Sequence, residues 1–133
     1  MLIDANARVG SNTSSACGDH WPQPEDEAGR QLTAILRSSG MTLPQTFSTC
    51  CTGQVGHTWS SKLAGRHRID YVAVPLQALP FSVAEVSRDP RLTGGVSDHS
   101  LVTVATRVLL RAVAGLASRR RGGVCRALVQ HPI

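Results

Sequence analysis

The sequence predicts a layered α/β (α+β) domain, mostly antiparallel strands with one clear helix. One amphipathic helical stretch stands among several short runs rich in Val, Ile and Thr, and two of those runs are joined by a connection of hairpin length. Polar words close the apolar runs, at strand ends or in the loops just beyond, where a rigid sheet presents reactive groups.

In chain order, Met1-Leu2-Ile3 is an apolar run ending at Asp4, read as the end of a buried strand. Residues 10–23 are rich in Ser, Asn, Gly and Pro and predict a loop. Between Glu25 and Ser39, Ala28, Leu32, Ile35 and Leu36 recur at helical spacing, with acidic residues in the first turn and Gly40 after the end. Residues 43–47 predict a short strand. Residues 57–61 and 67–74 predict two strands joined by Lys62-Leu63-Ala64-Gly65-Arg66. Further strands are expected at 81–86 and 101–108, separated by a loop carrying Pro90 and the Gly94-Gly95 pair. Residues 1–106 form the domain, and 107–133 a basic tail, helical to about residue 118 or disordered.

The 133 residues are 41% hydrophobic and 17% charged, the balance of a globular chain. Aromatics reach only 4%, so the core is built from Val, Leu, Ile and Ala. A net charge of +5 and a pI near 9.7 favour a polyanionic partner. The charge is uneven: Asp19, Glu25, Asp26 and Glu27 are acidic early, whereas Arg119-Arg120-Arg121 and their neighbours load the tail, and no acidic residue follows Asp98. The four cysteines (17, 50, 51 and 125) lack the pairing of a structural zinc site. Residues 108–117, interrupted by Arg111, are too short to span a bilayer. No signal peptide opens the sequence, which predicts an intracellular chain, nuclear or cytoplasmic, with reduced thiols.

Three words carry the chemistry: Asp4-Ala5-Asn6, Arg68-Ile69-Asp70-Tyr71-Val72 and Ser97-Asp98-His99. Cleaving a phosphodiester takes a metal on hard oxygen ligands, a base for water, and donors for the charged phosphorane. The carboxylates of Asp4 and Asp98 suit Mg²⁺. Asn6, two residues beyond Asp4, shares its side on an extended segment. His99 has the basicity of a general base near neutrality, and Asp70 is placed to fix its tautomer or, alternatively, to pair with Arg66 or Arg68. His20, His57, His67 and His131 read as loop or surface histidines, Trp21 as local packing, and Cys50-Cys51 as thiols with nothing nearby to activate them.

The order D-x-N, T-W, R-I-D-Y-V, S-D-H resembles the C-terminal half of the endonuclease/exonuclease/phosphatase superfamily, in its apurinic-endonuclease-like form found in non-LTR retrotransposons and craniofacial-development-type proteins. Asp4-Ala5-Asn6-Ala7-Arg8-Val9-Gly10 resembles that group's G-D-F-N-A-x-x-G segment, residues 43–47 lie near its N-T-F position, and Thr58-Trp59 with Arg68–Val72 resemble its T-W and R-I-D-Y pair. The likeness runs from about residue 2 to 106. It implies the C-terminal half of a four-layer α/β/β/α sandwich and a Mg²⁺- or Mn²⁺-dependent endonuclease or phosphodiesterase acting on nucleic acid, DNA before RNA. By the same resemblance Asp4, Asn6, Asp70 and His99 are catalytic. Asp4, Asn6, Asp98 and His99 lie on the metal side, and Asn6, Trp59 and Arg68 contact substrate. The family's first half, with its metal-binding Glu and first-strand Asn, has no counterpart here. The expectation is therefore a truncated chain that pairs with a missing N-terminal half or with itself, or else a catalytically dead remnant serving as a binding module. A phosphatase of small phosphoesters is the third alternative.

Overall fold

A computed structural model describes residues 1–10, 13–53, 55–89, 91 and 98–107. Ser97, the Gly94-Gly95 loop, Cys125 and the basic tail beyond Arg107 lie outside the described residues. The described part is a strand-rich α+β fold with one clear helix and small antiparallel sheets. Among the described residues no helix is long and apolar enough to cross a membrane.

Strand β1 (Leu2–Asp4) pairs antiparallel with β5 (Asp70–Val72), placing Leu2 opposite Val72 and Asp4 opposite Asp70. The expected buried strand is only half buried. The pleat turns Ile3 toward the core and leaves Leu2 75% exposed.

Helix α1 (Glu27–Ser38) starts one residue after Asp26, whose side chain caps it by accepting from Gly29 N–H at 2.7 Å, and ends before Gly40 at φ +63°. Its inward stripe is Gly29, Leu32, Thr33 and Leu36, rotated from the expected one, and Ile35 is 60% exposed. Gly29 sets that rotation. A methyl group there would overlap the Arg8 carbonyl, so the helix lies directly against the backbone of residues 8–9.

The strand expected over 43–47 is not formed. Pairing is confined to β2 (Met41–Thr42), and Pro44–Thr46 wind into a buried 3₁₀ turn. Pro44 fixes its own φ and offers no N–H to a ladder, which disfavours a strand there. The run 67–74 is likewise divided. Strands β3 (Trp59–Ser61) and β4 (Gly65–His67) make a tighter hairpin than expected, with Gly65 and Arg66 in the returning strand rather than in the connection, while β5 joins β1 and β6 (Val74–Pro75) joins β2. The break falls where Thr58 Oγ1 accepts from both Ile69 and Asp70 N–H, each at 3.0 Å, in place of a neighbouring strand. On the far side of β5, the buried Gln45 carboxamide spans Val72, accepting from its N–H at 3.0 Å and donating to its C=O at 3.1 Å. Strands β7 (Ser82–Ser87) and β8 (Leu101–Thr106) form the longest ladder, close to the expected positions.

The core joins Val9, Ala16, Cys17, Leu36, Leu43, Tyr71 and Ala73. Burial pushes the Tyr71 phenol up to about 12. Its oxygen lies 2.7 Å from Arg68 C=O and 2.9 Å from Ala7 C=O, and accepts from Val9 N–H at 3.3 Å. Residues 7–9 are thus pinned from below by Tyr71 and from the side by Gly29. That segment leads straight into the site.

Candidate active site

Two of the chemical words meet on the hairpin. Ser60 N–H donates to Asp98 C=O at 2.9 Å and Ser100 N–H donates to Thr58 C=O at 2.6 Å, so 98–100 runs antiparallel to β3 with His99 opposite Trp59. Thr58 holds Asp70 through the backbone bonds given above. Residues 58–60 therefore position both His99 and Asp70. His99 Nδ1 donates to Asp70 Oδ2 at 2.9 Å, with the side chains 38% and 16% exposed. The partner of Asp70 is this imidazole rather than Arg66 or Arg68.

Burial alone lowers the pKa of His99. The Asp70 hydrogen bond and charge, with the charges of Asp98 and Asp4, outweigh it and hold the imidazole above its ordinary 6.5. Asp98 Oδ2 accepts from Trp59 Nε1 at 3.0 Å. The Trp59 indole stacks on His67 with ring centres 5.9 Å apart and planes 12° from parallel.

An open cleft of about 430 Å³ lies before these groups, lined by Asn6, Arg8, Asp26, Trp59, His67, Ile69 and His99. Asn6 reaches it by leaving the strand: its φ is +45°, in the left-handed region that Asn tolerates, and its N–H donates to Asp4 Oδ1 at 3.3 Å. Asp4 and Asn6 therefore do not share one side of an extended segment, contrary to what their spacing predicts. Asp4 lines a neighbouring groove instead, with Leu2, Asp70, Ser100, Leu101 and Val102.

Arg68 requires a larger correction. It is only 2% exposed and does not line the cleft. Its guanidinium donates to three carbonyls, Gln45 at 2.8 Å, His20 at 2.7 Å and Trp21 at 2.6 Å, and lies 5.8 Å from the Trp21 ring centre. It ties the 20–24 loop to β5 rather than meeting a substrate. His57 is buried rather than superficial, its ring beside Trp21, and its Nε2 has no hydrogen-bond partner among the described residues.

The proposed metal ligands do not converge. Asp98 is engaged by Trp59, His99 Nδ1 by Asp70, and Asp4 opens onto the adjacent groove. Among the described residues no group of three His, Cys, Asp or Glu side chains is placed to hold a metal ion. These side chains do not fit the full ligand set that the resemblance implies.

Arg8, Asp26, Thr58 and His67 were not singled out from the sequence as site residues. Asp26 was legible only as part of the acidic helix start. Arg8 N–H donates to Asp26 Oδ1 at 3.1 Å and Nε–H to Oδ2 at 3.2 Å, a pairing across 18 residues that no local pattern announces. Burial opposes ionisation of Asp26, but the bonds from Gly29 and Arg8 hold its carboxyl below the usual carboxylate range. Comparison with family models, with curated proteins and with solved structures gives no match for this chain.

Proposed function

We propose that this chain is a phosphoesterase acting on nucleic acid, DNA before RNA, built as the C-terminal half of a four-layer sandwich of the endonuclease/exonuclease/phosphatase type. One observation carries the reading: a His99–Asp70 pair, 2.9 Å apart, at the edge of an open polar cleft. With Nδ1–H committed to Asp70, Nε2 is the basic nitrogen of neutral His99. It takes a proton from water as the water oxygen bonds to phosphorus. The ester P–O bond breaks on the opposite side and the leaving oxygen takes a proton from solvent. Asp70 stabilises the imidazolium so formed, and the Asn6 carboxamide donates to a non-bridging oxygen. A Mg²⁺ or Mn²⁺ ion would stabilise charge on the phosphoryl group. No step is assigned to it, because the ligands do not converge.

That non-convergence favours a second reading, a nucleic-acid-binding module without catalysis. Purified chain incubated with supercoiled and abasic plasmid DNA in Mg²⁺ separates the two, with EDTA and His99→Ala arms. Hydrolase chemistry predicts nicking that falls roughly 10²–10⁴-fold in His99→Ala. Nicking at the His99→Ala level in the wild type leaves the binding module. Loss of nicking in EDTA establishes the ion, and nicking that persists there excludes it.

A further inference from the structure

We infer that Arg8 is the fixed anion contact of the cleft, a guanidinium that receives a phosphate group of the nucleic-acid strand. This rests on the phosphoester reading above and adds to it the group that holds the substrate.

The observations do not require the His99–Asp70 pair to be catalytic. Among the described residues lining the cleft, Arg8 alone carries a positive charge that does not depend on pH. A polyanion needs such a charge, since Asp4, Asp70 and Asp98 surround His99 closely enough to shift its titration. The side chain is also held in place. Its N–H and Nε–H occupy both oxygens of Asp26, whose Oδ1 also accepts from Gly29 N–H. Its backbone is fixed between Gly29 and the Tyr71 hydroxyl, which bonds to Ala7 and Val9 on either side of it. Nη1 and Nη2 have no hydrogen-bond partner among the described residues, and the side chain is 36% exposed. A guanidinium gripped through Nε and open at its far edge presents parallel donors to phosphate oxygens with little ordering left to do.

The test is fluorescence anisotropy of a labelled single-stranded DNA of about 12 nucleotides with the full chain, across a salt series. Arg8→Gln is expected to weaken binding about tenfold and to lower the slope of log K against log salt by about 0.7, one phosphate contact. Arg8→Lys keeps the charge but not the planar fork, so it keeps the slope and loses about threefold. Unchanged affinity and slope in a folded Arg8→Gln overturns the inference, as does absence of binding by the wild type. Where Arg8→Gln does not fold, unchanged affinity in Arg8→Lys overturns it. Nicking measured in parallel keeps the two readings apart. DNA bound through Arg8 but never cleaved removes the His99 chemistry and leaves this contact. Cleavage indifferent to Arg8→Gln does the reverse.

Discussion

Asp70 accepts from His99 Nδ1 and lies directly opposite Asp4 across the β1–β5 ladder. Replacing Asp70 by Asn removes one negative charge and the carboxylate acceptor together. The His99 pKa should then fall toward or below 6.5, read by NMR titration of the ring protons, and the rising limb of any pH–rate profile should move to lower pH with it. An unshifted titration would mean that the pair carries no electrostatic weight. The sign of the stability effect follows. A histidine whose pKa is raised on folding stabilises fully below its unfolded value, and that contribution is lost as pH rises through the raised one. Arg68 behaves differently. Its three carbonyl partners are neutral, that of Gln45 buried and those of His20 and Trp21 half-buried, so Arg68→Lys leaves acceptors unmet and should cost about 2 kcal/mol in urea unfolding, with no direct loss of a cleft contact.

Helix α1 bears on the cleft through its first turn, because Asp26 caps the helix and holds Arg8 with the same carboxylate. Gly29→Ala should therefore do two things: destabilise by about 2 kcal/mol through overpacking against the Arg8 carbonyl, and weaken the proposed DNA binding by displacing the guanidinium. Stability lost without any change in DNA affinity would uncouple the helix from the cleft. The elements most legible in the sequence were those with local signals: this helix from its acidic start and terminal glycine, β7 and β8 from their Val-rich runs, and the existence of a hairpin near residues 59–67, though not its tighter turn. What was illegible is decided across distance. The helix face is set by contact with residue 8, the 43–47 turn by Pro44 and by burial of Gln45, and the division of 67–74 by a hydroxyl on residue 58. The same holds for the site. Asp70 and His99 were recognisable as words, whereas the burial of Arg68 and the exposure of Arg8 depend on which side the chain turns.

At the scale of the molecule, two histidines, buried His57 and half-buried His20, oppose His99. Burial, with the nearby charges of Arg88 and Arg66, lowers the pKa of His57; burial and Arg68 lower that of His20, against a smaller opposing pull from Asp19. Both must charge on unfolding in acid, so their cost appears as pH falls below 6.5, the window in which the His99 contribution becomes complete. Between pH 7.5 and 5.5, His57→Gln should lose less urea stability than the wild type and His99→Gln should lose more; equal losses in all three would remove both assignments. The placement of the two tryptophans has an optical consequence. Each indole lies beside an imidazole, Trp21 beside His57 and Trp59 on His67. A protonated imidazole quenches indole emission, so the chain carries two intrinsic gauges, one reading the interior around Arg68 and the other the mouth of the cleft. Trp21→Phe leaves a fluorophore stacked on His67, whose emission reports any base that displaces that ring. Trp59→Phe leaves one that stays bright until acid reaches the interior.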